Sequence, residues 1–169
     1  MFIENKFKVL ELNYNAGRLA GRVLTQFPVV DDPSTAVTVG ANKYLQNGNI
    51  YALNNAGKIA VHTGAAGFGE MFIHCDDPIV TFGVGDNQFA VKNVNGDTYL
   101  RLYPLQVGDV FTTNNVAGTY GAFAKVVAGV ITFETTATAA TVFSAKQTTL
   151  ANGDPGYEFI VIKPQAVTA

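Results

Sequence analysis

The residues best equipped for chemistry cluster near the middle of the chain. His74-Cys75-Asp76-Asp77, with His62 twelve residues upstream, supplies side chains of the kind that hold a metal ion. Adjacent strand residues point to opposite faces, so His74 and Cys75 cannot converge on one ion without a bulge. Asp76-Asp77-Pro78 reads more simply as a turn, and Asp31-Asp32-Pro33 repeats that pattern, so neither pair makes a catalytic dyad on sequence alone. Gly64-Ala65-Ala66-Gly67-Phe68-Gly69 has the glycines of a phosphate loop, but Glu70 and an apolar strand follow where Gly-Lys-Ser/Thr and a helix are needed. Gly83-Val84-Gly85-Asp86-Asn87 lacks the third glycine of a dinucleotide fingerprint. Ser34 and Ser144 are the only serines, and neither sits in a nucleophile elbow. No catalytic, cofactor-binding or metal residue is expected, and the chain is not expected to be an enzyme. Replacing His74, Cys75 or Asp76 by Ala should then alter stability alone. Tyr44, Tyr51, Tyr99, Tyr103, Tyr120 and Phe68 could form a sugar-stacking platform, although aromatics on half-buried strands more often pack in a core or an intersubunit seam.

The elements that must position these residues are short strands. Apolar and polar residues alternate over short distances, and turn residues interrupt every few positions. Expected strands are Lys6–Leu12, Ala36–Val39, Ile50–Leu53, Lys58–His62, Glu70–Cys75, Ile79–Phe82 and Phe89–Asn93, then Tyr99–Tyr103, Asp109–Thr113, Phe123–Val127, Val130–Glu134, Thr141–Ser144 and Tyr157–Ile162. The clearest hairpin is Phe123 to Glu134 across Ala128-Gly129. Helix is confined to a turn or two, with Tyr14–Leu24 the best stretch and Gly17 and Gly21 weakening it. Of the 169 residues, 48% are hydrophobic and only 14% charged, which excludes a solvated disordered chain. The net charge of -2 argues against broad nucleic-acid binding. No uncharged stretch is long and apolar enough to span a bilayer, and charges in Met1–Lys8 sit where a secretory signal needs an apolar core. Synthesis in the cytoplasm, with no membrane partner, is expected. A single cysteine, Cys75, leaves stability to burial or assembly.

Internal comparison finds a repeat. Gly48-Asn49-Ile50-Tyr51-Ala52-Leu53-Asn54-Asn55 is followed by Ala56-Gly57; sixty residues on, Gly108-Asp109-Val110-Phe111-Thr112-Thr113-Asn114-Asn115 is followed, after Val116, by Ala117-Gly118. Each copy suggests a strand entering a hairpin turn, with Lys58–Val61 or Tyr120–Lys125 leading the return strand. Glu70–Ile73 and Glu158–Val161 give a weaker echo. The alternative is that two Asn-rich turns arose independently. With a duplication, the expected fold is all-β: two small related β-barrel or β-sandwich modules in tandem, at 36–100 and 101–165. An extended N-terminal arm, 1–33, lies outside both and carries four of the eleven basic residues.

The segment Gly48–Ile59, a Gly-Asn-aliphatic-aromatic strand, an Asn-rich turn and Gly57-Lys58-Ile59, resembles the small β modules of tailed-bacteriophage capsid decoration (cement) or auxiliary head proteins; Gly108–Gly118 matches its first half. The resemblance implies a non-enzymatic structural virion protein that binds the outer surface of a capsid and stabilises or decorates it. Its partners would be the major capsid protein and further copies of itself. The arm's apolar Phe2, Ile3 and Phe7 are expected to dock on that surface, with Arg18 and Arg22 pairing carboxylates there to set register. An alternative for the arm is an edge strand added to the first module. An alternative function is a receptor- or carbohydrate-binding β module of a phage fibre or baseplate. A small β-sandwich enzyme would need His62 or His74 beside a carboxylate in a pocket.

Overall fold

Strand-forming residues broken by glycine and asparagine turns assemble into three sheets. The structure, a computed structural model, describes residues 10–14, 28–29, 35, 37–39, 42–64, 70–75, 90–93, 99–151 and 153–163. With strands numbered along the chain, the largest sheet runs β1 (Leu10–Tyr14), β9 (Val110–Thr113), β14 (Pro155–Val161), β13 (Phe143–Thr149), β11 (Phe123–Val127), β12 (Val130–Glu134) and β10 (Val116–Ala117). A four-stranded sheet runs β5 (Ile59–Val61), β4 (Ile50–Leu53), β6 (Phe72–His74) and β8 (Leu102–Pro104). The third sheet is β2 (Val37–Val39), β3 (Asn42–Gln46) and β7 (Ala90–Asn93). Neighbouring strands are antiparallel except β10 and β12. The described residues contain no helix, so the chain is all-β there. No sheet closes into a barrel among them.

The two larger sheets pack through one core. Phe111, Phe143, Phe159, Ile131 and Val161 meet Ile50, Met71, Ile73 and Leu105 there. The three phenylalanines interlock, Phe143 edge-on to Phe111 at 5.7 Å and Phe159 stacked on Phe111 at 5.5 Å. Each such side chain is worth about 1.5–3 kcal/mol for leaving water. A second cluster, with Val29, Leu45, Tyr51, Ile59, Phe72, Leu100 and Leu102, lies on the other face of the four-stranded sheet. Along β4 and β6, alternate residues serve the two clusters, Ile50 and Ile73 one, Tyr51 and Phe72 the other. Burial on both faces explains why these strands are short unbroken apolar runs rather than alternating ones.

The hairpin across Ala128-Gly129 forms as expected, with Val127 opposite Val130. Both turn residues have positive φ, 45° and 77°, the geometry of a two-residue hairpin that follows strand twist. Its tip also joins the sheets: Gly129 N–H donates to the His62 carbonyl at 2.8 Å, and Ile50 N–H donates to the Gly129 carbonyl at 2.8 Å.

The repeat is only half a hairpin. In the first copy β4 turns back into β5, and Asn54 Oδ1 accepts from Ala56 and Lys58 N–H to close the turn. In the second copy β9 lies between β1 and β14, and the following β10 leaves to pair with β12. The expected return strand Tyr120–Lys125 does not pair with β9; its Phe123–Lys125 part lies in β11, between β12 and β13. The physical cause is Asn115, which is buried and whose Nδ2 donates to the Asn47 carbonyl (3.0 Å) and to Asn49 Oδ1 (2.7 Å), anchoring the chain away from β9. Local geometry is nonetheless shared: Gly48 and Gly108, and Gly57 and Gly118, all have positive φ. Past residue 100, β8 joins β6 in the four-stranded sheet. The end of the expected arm strand, Leu10–Leu12, is an edge strand, but beside β9 rather than in the 36–100 half. The strands β3 and β10 were not expected, and β13 extends to Thr149 along its full pairing with β14.

Candidate functional site

The side chains of the largest sheet that point away from its core include exposed apolar residues. Along β14, Phe159 and Val161 are buried, so Ile160 points outward and is 40% exposed; the next alternate residue, Ile162, is 39% exposed. Directly across the strands from Ile160 are Val110 on one side and Ser144 on the other, and Phe123 lies beyond Ser144. Val107, 62% exposed, stands beside Gly108, whose N–H donates to the Val161 carbonyl. This uncharged patch is bordered by oppositely charged pairs. Lys146 lies opposite Glu158 one row along. Lys125 Nζ is 2.9 Å from Glu134 Oε1, and Glu134 lies opposite Phe123.

Glu134 is set by its surroundings. Burial of its carboxyl raises the pKa, but hydrogen bonds from Thr141, Lys125 and Thr138 and the charge of Lys125 outweigh it and hold the group below its ordinary 4.5. Thr141 Oγ1 donates to Oε2 at 2.7 Å and Thr138 Oγ1 to Oε1 at 3.1 Å, so one carboxylate clamps the turn from Glu134 to Thr141.

A second surface feature is aromatic. Tyr120, 38% exposed, stacks on Tyr157 with centroids 5.7 Å apart and planes 18° apart, while Phe133 meets both edge-on. Exposed Gln147 is directly cross-strand from Tyr157. Of the expected platform, Tyr51 is fully buried, Tyr103 is packed against the core and Tyr99 is 53% exposed. Tyr44 lies in β3, and Phe68 is outside the described residues. Tyr157 is half-buried and packed against the core.

Both histidines are buried. His74 Nδ1–H donates to the Gln46 carbonyl at 2.7 Å, and the ring meets Tyr51 edge-on. His62 Nδ1 accepts from Gly64 N–H at 2.9 Å. Cys75 is half-buried against the core. No three His, Cys, Asp or Glu side chains gather as a metal ion would need among the described residues. Asp109 Oδ2 accepts from Gln106 N–H at 2.8 Å, closing the turn into β9. Asp76 and Asp77 lie outside the described residues, as do Phe2, Ile3, Phe7, Arg18 and Arg22, the residues expected to bind a partner.

No family model, curated protein or solved structure matches the chain.

Proposed function

We propose that the chain is a non-enzymatic structural protein of a tailed-phage virion, bound to the outer surface of the capsid through the outward face of its largest sheet. The observation that carries this reading is the uncharged row Val110–Ile160–Ser144–Phe123 with Ile162 and Val107 beside it, framed by Lys146–Glu158 and Lys125–Glu134. An apolar centre with a polar, charge-balanced rim is the anatomy of a protein–protein contact. Capsids present the same surface many times, so modest contacts of this size suffice for stable decoration. The resemblance of Gly48–Ile59 to cement-protein modules points the same way, and matching registers around β4 and β9 support a duplicated module. The arm, with Phe2, Ile3, Phe7, Arg18 and Arg22, extends that contact on the capsid or on neighbouring copies. The test is co-sedimentation with capsids assembled from the major head protein of the same genome. Saturable binding that Ile160→Asp abolishes, with the fold retained, is the expected result; binding indifferent to Ile160→Asp places the contact elsewhere, and no binding refutes the reading.

A second reading rests on the Tyr120–Tyr157 stack beside Gln147. An exposed aromatic face next to a side-chain amide suits a neutral sugar of a host surface, as in a fibre or baseplate module. Titration with neutral saccharides, followed by tyrosine fluorescence in this Trp-free chain, should give a saturable change that Tyr120→Ala removes.

A further inference from the structure

We infer that His62 is an acid-operated latch at the joint between the two larger sheets: the neutral side chain holds the joint shut, and a proton on it opens the joint. The inference stands apart from the capsid reading and rests on the hydrogen bonds around one buried residue. His62 follows β5 and is 1% exposed. Its N–H donates to the Ile50 carbonyl at 3.0 Å and its carbonyl accepts from Gly129 N–H at 2.8 Å, while the Gly129 carbonyl accepts from Ile50 N–H at 2.8 Å. These three bonds close a cycle that ties the β11–β12 hairpin tip to β4 and to the end of β5. The imidazole braces the same place. Its Nδ1 accepts from Gly64 N–H at 2.9 Å, which curls Thr63 and Gly64 back toward the side chain. Gly64, at a φ of +84°, lies so close to the Val126 carbonyl of β11 that a Cβ has no place there. The turn that the ring holds is thus itself a contact with the larger sheet.

An Nδ1 that accepts a hydrogen bond carries no proton, so this geometry belongs to the neutral ring with its proton on Nε2. A second proton would set an N–H donor against Gly64 N–H and put a positive charge into a buried site, which costs stability unless the charge is paired. Alternation along β5 puts His62 on the side opposite Val61, the side to which β4 turns the core residue Ile50. The titratable groups of the elements packed against it lie elsewhere. Glu134 is the one carboxylate carried by β4, β5, β11 and β12, and it is bound to Lys125, Thr138 and Thr141 at the open end of the hairpin. Lys58 stands at the other end of β5, Tyr51 is turned to the second cluster with its hydroxyl hydrogen-bonded to Thr35, and the His74 ring meets Tyr51. An unfolded chain takes up the proton near histidine's ordinary value of about 6.5. The stabilisation that the neutral ring gives is therefore present in full above that pH and is lost as the pH falls below it.

The test follows urea midpoints and amide exchange at about pH 7.5 and 5.5 in the parent and in His62→Asn. Asparagine accepts from the N–H two residues on, as Nδ1 does here, and does not titrate. In the parent the urea midpoint should fall between the two pH values. Protection at Ile50, Gly64 and Gly129, corrected for intrinsic exchange, should drop about tenfold, the effect of one pH unit below histidine's ordinary value. His62→Asn should lose most of both changes, and His74, present in both proteins, cancels in the comparison. The same pH dependence in both proteins overturns the inference. A measurement free of substitutions follows the imidazole nitrogen resonances of the intact protein. An unprotonated Nδ1 at the higher pH, and protonation of His62 in step with loss of protection at Gly64 and Gly129, is the expected result. A ring that carries a proton on Nδ1 at the higher pH, stays neutral at the lower one, or takes up its proton while both amides stay protected contradicts the latch.

Discussion

Gly129 sits where the Ala128-Gly129 turn enters the four-stranded sheet, and a side chain has no place there. A Cβ would lie 2.5 Å from Val61 Cγ1 and 2.8 Å from Thr35 Cγ2, at a φ of +77°. Overpacking costs about 1–3 kcal/mol, and a left-handed residue with a Cβ costs roughly 1–2 kcal/mol more. Gly129→Ala should therefore lower the urea midpoint by an amount worth roughly 2–5 kcal/mol, whereas Gly57→Ala, with nothing within 4 Å of its Cβ, should lose only the backbone term. Glu134 makes a pH-dependent contribution. Its pKa is lowered on folding, so its stabilisation is present above the ordinary value of 4.5 and is lost as pH falls through the folded value. Urea midpoints measured on descending from pH 6 should fall less steeply in Glu134→Gln than in the parent. The glycines and asparagines of these turns were legible as punctuation. Which of them also touched a second sheet was not, because that depends on residues sixty or more positions away.

Elements defined by local pattern were read well, and those defined by distant partners were not. Ile50–Leu53, Phe123–Val127 and Val130–Glu134 form strands over those residues because β-branched and aromatic side chains stand between glycine or asparagine turns. The strand β3, Asn42–Gln46, has a weak intrinsic strand signal and owes its form to pairing with β2 and β7. Strand order was the least legible feature. Nothing in Val110–Thr113 announces that Leu10–Leu12 will lie beside it, because the deciding contact is Asn115 with Asn47 and Asn49. Asn115→Ala removes the donor of both hydrogen bonds, each worth about 0.5–1.5 kcal/mol. Its melting temperature should fall, and hydrogen exchange should rise first at Asn47–Ile50 and Val116–Ala117. Unchanged exchange at both segments would show that the asparagine does not join them.

At the scale of the whole molecule, two sheets share one core, and Ile160 and Ile162 are exposed on the other side of the larger one. The all-β class followed from composition and alternation. The apolar outward row could not, because Val110, Phe123, Ser144 and Ile160 become neighbours only when four strands align. The partner residues expected from sequence lie in the arm, and the described surface adds a second face to test beside it. The most direct measurement is cryo-electron microscopy of capsids of the same genome incubated with the protein. The account predicts ordered density on the outer surface with Ile160, Ile162 and Val107 turned against the capsid shell. Capsids that stay bare at saturating protein, or density that turns this face to solvent, would contradict it.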